Sequence, residues 1–153
     1  MGKSDYGKYV VEKPAYEVTP KFEVQGRIPA MTLMSGDLVP GARTYVEAGW
    51  ILGMPSPNPH IDEHTHEYDE IILHFGMDPA DPENLGAEIE IFIDGRPFLI
   101  QSTSAIYVPK GVKHGPLRWK KCNRPHLEMT IMLGAGTLAE ADPGGHEKVK
   151  QSS

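Results

Sequence analysis

The sequence predicts an all-β fold, one small barrel or sandwich with few or no helices, on three observations. Its 16 glycines and 14 prolines break the chain every few residues. No window of about 11 to 18 residues sustains the i, i+3, i+4, i+7 apolar spacing of an amphipathic helix. Between the breaks stand short runs rich in β-branched and aromatic residues, which suit a pleated, half-buried surface. At 153 residues there is room for one core and little more, so a single domain is expected.

Taken in order, residues 1–25 are polar with scattered apolar positions and read as an N-terminal arm, free to dock on a neighbour. The barrel is expected over residues 26–138. Its strands are placed at Met31 to Met34, Arg43 to Leu52, Glu70 to Phe75, Glu88 to Ile93, Phe98 to Gln101, Ala105 to Val108, Leu117 to Lys120 and His126 to Leu133. Asp94-Gly95 is the strongest hairpin signal, because a type I′ turn needs positive φ at both central residues. Met77 to Gly86, rich in Asp, Pro and Asn, is expected to be a long surface loop, since each proline removes a ladder donor. Residues 139–153 offer too little apolar surface to offset the entropy of ordering and read as a disordered tail.

Charge and composition narrow the function classes. With 15 basic and 21 acidic residues the net charge is -6, and no basic cluster exceeds Lys120-Lys121, which argues against nucleic acid as a partner. No apolar run reaches the roughly 18 residues of a membrane span, and the N-terminus lacks a signal-type apolar region. A cytoplasmic protein is therefore expected, its exposed sheet covered by a homodimer contact. Cys122 stands alone among Lys120, Lys121, Asn123 and Arg124, so it forms no internal disulfide. It reads as an inert thiol in an exposed turn, with no base beside it in sequence.

The chemistry concentrates in two segments. In Ile61 to Gly76 (IDEHTHEYDEIILHFG), His64 and His66 are two apart and project from the same face of a strand. Glu70, after a turn over Glu67 to Asp69, can open the next antiparallel strand and face them. In Tyr107 to Gly115 (YVPKGVKHG), Pro109 and Gly111 build a turn and His114 begins the strand beyond it. Three imidazoles and one carboxylate suit a divalent transition metal such as Fe, Mn, Ni, Cu or Zn.

These segments resemble the two motifs of the cupin superfamily, G-x5-H-x-H-x3,4-E-x6-G and G-x5-P-x-G-x2-H-x3-N. The match covers His64, His66, Glu70 and Gly76, then Pro109, Gly111 and His114. The opening glycines are replaced by Asn58 and Thr103, the closing asparagine by Arg118, and Gly76 falls one residue early. The resemblance implies a double-stranded β-helix of two packed antiparallel sheets, in the manner of a single-domain metal-binding cupin. It also implies a metal held inside the barrel by His64, His66, Glu70 and His114.

Further candidates flank this set. Along HLEMTIML, His126, Glu128 and Thr130 share one face, so Glu128 and His126 are expected as acid/base groups if that face points inward. Arg43, Tyr45 and Glu47 alternate in the same way and could meet an anionic or aromatic ligand. His60 and His74 fit no ligand position and read as rim or core packing. Four protein ligands leave coordination positions open. The leading expectation is thus an enzyme, a dioxygenase or a ring-opening hydrolase, isomerase or decarboxylase, acting on a small oxygen-rich or aromatic substrate. The alternative is a non-enzymatic small-molecule-binding or sensor module.

Overall fold

The computed structural model describes residues 5–16 and 22–141. After a 3-10 turn at Tyr6–Tyr9 the chain forms β1 (Gln25–Arg27), β2 (Met31–Met34), β3 (Thr44–Ser56), β4 (Asp69–Gly76) and β5 (Asn84–Ile93). It continues through β6 (Arg96–Ser102), β7 (Ser104–Val108), β8 (His114–Cys122) and β9 (His126–Leu133) to a short helix, α1 (Leu138–Ala141). One antiparallel sheet runs in the order β1-β3-β9-β4-β7, with β2 also on β3, and the second runs β6-β5-β8. This is the expected all-β, two-sheet barrel.

Period-two alternation decides which faces meet. From the first sheet come Ile51 and Ile72; from the second come Leu85, Ala87, Ile89, Ile91, Ile100, Leu117 and Trp119. With Val108 these form one buried apolar cluster between the sheets. A fully buried Ile such as Ile89 contributes about 1.5–3 kcal/mol through its apolar area. The Asp94-Gly95 hairpin forms as expected, with φ of 48° and 75° and Ile93 paired to Arg96.

Three segments differ from the sequence reading. Gln25–Arg27, at the boundary of the expected arm, pairs with β3 through Gln25↔Ser56 and Arg27↔Ile51, across a register shift that no short polar run announces. Asn84 to Gly86 belong to β5 rather than to the loop, because Leu85 is fully buried. Leu138–Ala141 forms a helical turn whose Ala141 is buried against Tyr45, Tyr68 and Met132; the rest of the expected tail, 142–153, lies outside the described residues. Among those residues no helix is long and apolar enough to cross a membrane.

Trp119 organises a second kind of core, made of buried imidazoles. His60 stacks on its ring at 5.2 Å, and the Trp119 Nε1–H donates to His126 Nε2 at 3.1 Å. His74 lies edge-on to the same indole, 6.2 Å between centroids. All three histidines are fully buried. Burial pushes His60 down from 6.5 to about 4, with Glu128 opposing and Arg27 adding to the shift.

Two predictions follow from this packing. A Cβ on Gly76 would lie 2.1 Å from the Asn84 carbonyl oxygen, where β4 passes β5. Gly76→Ala should therefore cost about 1–3 kcal/mol in urea unfolding, the usual penalty of overpacking, and a neutral result would mean that the two strands separate freely here. The second concerns acid. His60 is neutral in both states above pH 6.5, but below it the unfolded chain binds the proton first, so stability is lost as pH falls from 6.5 to about 4. His60→Gln should remove up to about one proton from the slope of unfolding free energy against pH in that window, about 1.4 kcal/mol per unit. An unchanged slope would show that His60 protonates as readily folded as unfolded.

Candidate metal centre

His64, His66 and His114 are aimed by the backbone. The Nδ1–H of His64 donates to the Asp62 carbonyl at 2.7 Å, that of His66 to Tyr68 at 2.8 Å and that of His114 to Val112 at 2.9 Å. A carbonyl only accepts, so each Nδ1 carries the proton and each Nε2 presents a lone pair. This is how outer hydrogen bonds fix metal-binding histidines.

The expected strand for His64 and His66 is reduced to one bridge. His64 and His114 exchange backbone hydrogen bonds at 2.9 and 3.0 Å, while Thr65 to Tyr68 run irregularly into β4. The bridge joins the two motif segments directly. Gly115, at φ 88°, follows His114 because a Cβ there would lie 2.6 Å from the Asp62 oxygen. Glu70, second residue of β4, pairs with Met132 of β9 and Val108 of β7 and points to the same spot.

The four donor atoms all lie within 4.8 Å of one another. Glu70 Oε2 is 2.7 Å from His66 Nε2 and 3.1 Å from His114 Nε2. Imidazole lone pairs facing a buried carboxylate at these distances repel unless a cation sits among them, a proton or a metal ion. Burial raises the Glu70 carboxyl, but where His114 and His66 also carry a proton on Nε2 their hydrogen bonds outweigh it and hold the group at about 2. His114 is pulled down by burial and raised overall by Glu70. His64 is lowered to about 4, by burial and then by His114. The donor set thus fits a divalent transition metal, neutral nitrogens with one carboxylate, and could hold one ion.

The cluster opens on a cavity of about 60 Å³, where one water needs roughly 10–15 Å³. His64, Glu70 and His114 line it, and Arg27, Glu47, Glu128 and Thr130 bring its other polar groups. Glu128, expected as an acid/base group, does reach this cavity. Its Oε2 accepts from His74 Nε2–H at 3.0 Å and its Oε1 lies 3.5 Å from the Arg27 guanidinium. Burial opposes its charge, yet His74 and Arg27 hold it far below the usual carboxylate range. Tyr68 stacks flat on His66 at 3.9 Å and donates its hydroxyl to the Ala141 carbonyl, so α1 closes one edge of the site.

The other candidates separate. His126 is buried away from the cavity lining, its Nε2 occupied by Trp119, so the structure does not bring it to the site expected for it. The Arg43, Tyr45, Glu47 face divides: Glu47 lines the cavity, Tyr45 is buried against Thr32 through its hydroxyl, and Arg43 is exposed and bonded to the Gly134 carbonyl. His74 is a partner of Glu128 rather than simple packing, and Arg27, on the unanticipated β1, was not singled out at all. Cys122 closes β8 rather than sitting in an exposed turn, half-buried, and burial raises its thiol.

The departures from the motifs have local explanations. Asn58 pairs with the Trp119 backbone like a strand residue, accepting from its N–H at 3.0 Å and donating to its carbonyl at 2.8 Å. The Thr103 hydroxyl accepts from Gly76 N–H and donates to the Pro82 carbonyl, tying β4 to the loop that follows. Arg118 points to solvent.

No family model and no curated protein matches the chain. Among solved structures it is similar to a predicted oxalate decarboxylase of Thermotoga maritima, with TM-score 0.50 and 15% identity over 74% of this chain and 82% of that one. It is also similar to a polyketide cyclase of Streptomyces resistomycificus (TM-score 0.46, 15% identity, 72% and 66% covered). A third is an RmlC-like cupin of Shewanella frigidimarina (TM-score 0.41, 13% identity, 75% and 86% covered). At such identities only architecture is shared. The two antiparallel sheets, the register of the strands and the buried His/Glu cluster together give this chain the cupin fold.

Proposed function

We propose that this protein is a metal-dependent enzyme acting on a small oxygen-rich or aromatic molecule, in the range of dioxygenase, hydrolase, isomerase or decarboxylase chemistry. The observation that carries the reading is a cavity lined both by His64, Glu70 and His114 of the ligand cluster and by Glu128. A structural metal would need no such cavity; structural sites are closed.

The three Nε2 atoms and the Glu70 carboxylate would hold the ion. When bound, it supplies Lewis acidity or, if redox-active, oxygen activation. The chain's own residues do the rest. Glu128, kept ionised by Arg27 and His74, accepts a hydrogen bond from a substrate hydroxyl or a water in the cavity and orients it toward the ligand cluster. His74 fixes that carboxylate through Oε2 and leaves its own Nδ1 buried without a partner, so the pair keeps one orientation. Ile61, Ile72, Ile91, Leu117 and Met132 line the remaining wall and limit water around the hydrogen bond to Glu128.

Protein purified without added metal should contain close to one equivalent of Fe, Mn, Ni, Cu or Zn by plasma mass spectrometry. In His114→Ala that content should fall about ten-fold or more. Absence of metal from both proteins, even after reconstitution, would sink the proposal; a metal retained fully in the variant would place the ion elsewhere.

A further inference from the structure

Resting on that reading, we infer that the substrate is an uncharged polyhydroxylated molecule of a few carbons, whose hydroxyls are read by Glu47, Thr130 and Glu128. These three line the same cavity as the metal cluster, from two adjacent strands. Glu47 of β3 pairs directly with Thr130 of β9, and Glu128 stands two residues along β9 on the same face.

The chemistry of this wall is asymmetric. Carboxylate oxygens accept hydrogen bonds and cannot donate. The Thr130 hydroxyl is buried and has no hydrogen-bond partner in the protein, a cost of about 1–3 kcal/mol unless a ligand or water supplies one. The one strong donor here, Arg27, already faces Glu128 at 3.5 Å. A hydroxyl group meets every requirement, donating to Glu47 or Glu128 and either donating to or accepting from Thr130. A carboxylate does not: it would set its charge against Glu47 and Glu128.

Charge balance points the same way. Glu47, Glu70 and Glu128 contribute three carboxyl groups to the cavity lining and Arg27 one cation. Carboxyl groups thus outnumber cations among the lining residues, which disfavours a further anion there. Size agrees too, since about 60 Å³ on a scale of roughly 10–15 Å³ per water accommodates a handful of heavy atoms.

The test is calorimetric titration of zinc-reconstituted protein with erythritol, D-xylose and succinate. The polyol or the sugar should bind saturably and tighter than succinate. Thr130→Val, which keeps the shape of the side chain, should weaken that binding about five-fold or more, and Glu47→Gln should weaken it as well. Succinate binding tighter than both neutral probes, no binding of either, or affinities unchanged in both variants would overturn the inference. Zinc content measured on the same samples tests the metal reading separately: protein that holds zinc in full but ignores polyols loses only this inference.

Discussion

The structure depends on three hydrogen bonds that never touch a substrate, the Nδ1–H donations of His64, His66 and His114 to nearby carbonyls. They turn imidazoles that could adopt either tautomer into fixed lone pairs pointing at Glu70. Each acceptor is only two residues away, at Asp62, Tyr68 and Val112, so aiming is local and needs little from the rest of the fold. What the fold must add is the meeting of the two segments. It does so with the His64–His114 backbone bridge, which sets both ligands with two hydrogen bonds and demands a glycine at 115 to let the Asp62 carbonyl approach.

The second half of the cavity is built by register. In the first sheet β9 lies between β3 and β4, so His74 sits directly opposite Glu128 and Thr130 directly opposite Glu47. A slip of one residue on β9 would turn Glu128 and Thr130 out of the barrel and bring Met129 and Ile131 in. Apolar residues hold this register: Ile72 and Ile51 on the neighbouring strands belong to the central cluster and cannot leave it without losing burial. The polar wall is thus positioned by the same alternation that packs the core.

Much of this was legible in the sequence, for identifiable reasons. The strand periods, the Asp94-Gly95 turn and the ligand spacing are short-range signals, and each corresponds to a feature of the structure. His64 and His66 converge although their strand is only a single bridge, because two-residue spacing in extended chain suffices. Arg27 was hidden because β1 has three residues and a shifted register, so its pairing is visible only from β3. His126 misled because period two places it on the same face as Glu128, whereas two residues along β9 carry it out of the cavity lining to Trp119. Alternation tells which way a side chain points; only the tertiary structure tells what waits there.

The barrel interior is divided by how each half compensates its buried polar groups. Around Trp119 the apolar cluster is closed by His60, which stacks on the indole, and by His126, which accepts its N–H. In the cavity, buried carboxylates are present and apolar packing cannot neutralise them. Glu128 has Arg27 and His74 as permanent partners inside the protein. Glu70 has only imidazoles whose Nδ1 protons point away from it, so its compensation is a cation taken up among the Nε2 atoms, a proton or a metal ion. This difference assigns the roles: a carboxylate held ionised by the chain is a fixed acceptor that orients a guest's hydroxyl, whereas one that relies on an ion is committed to holding it.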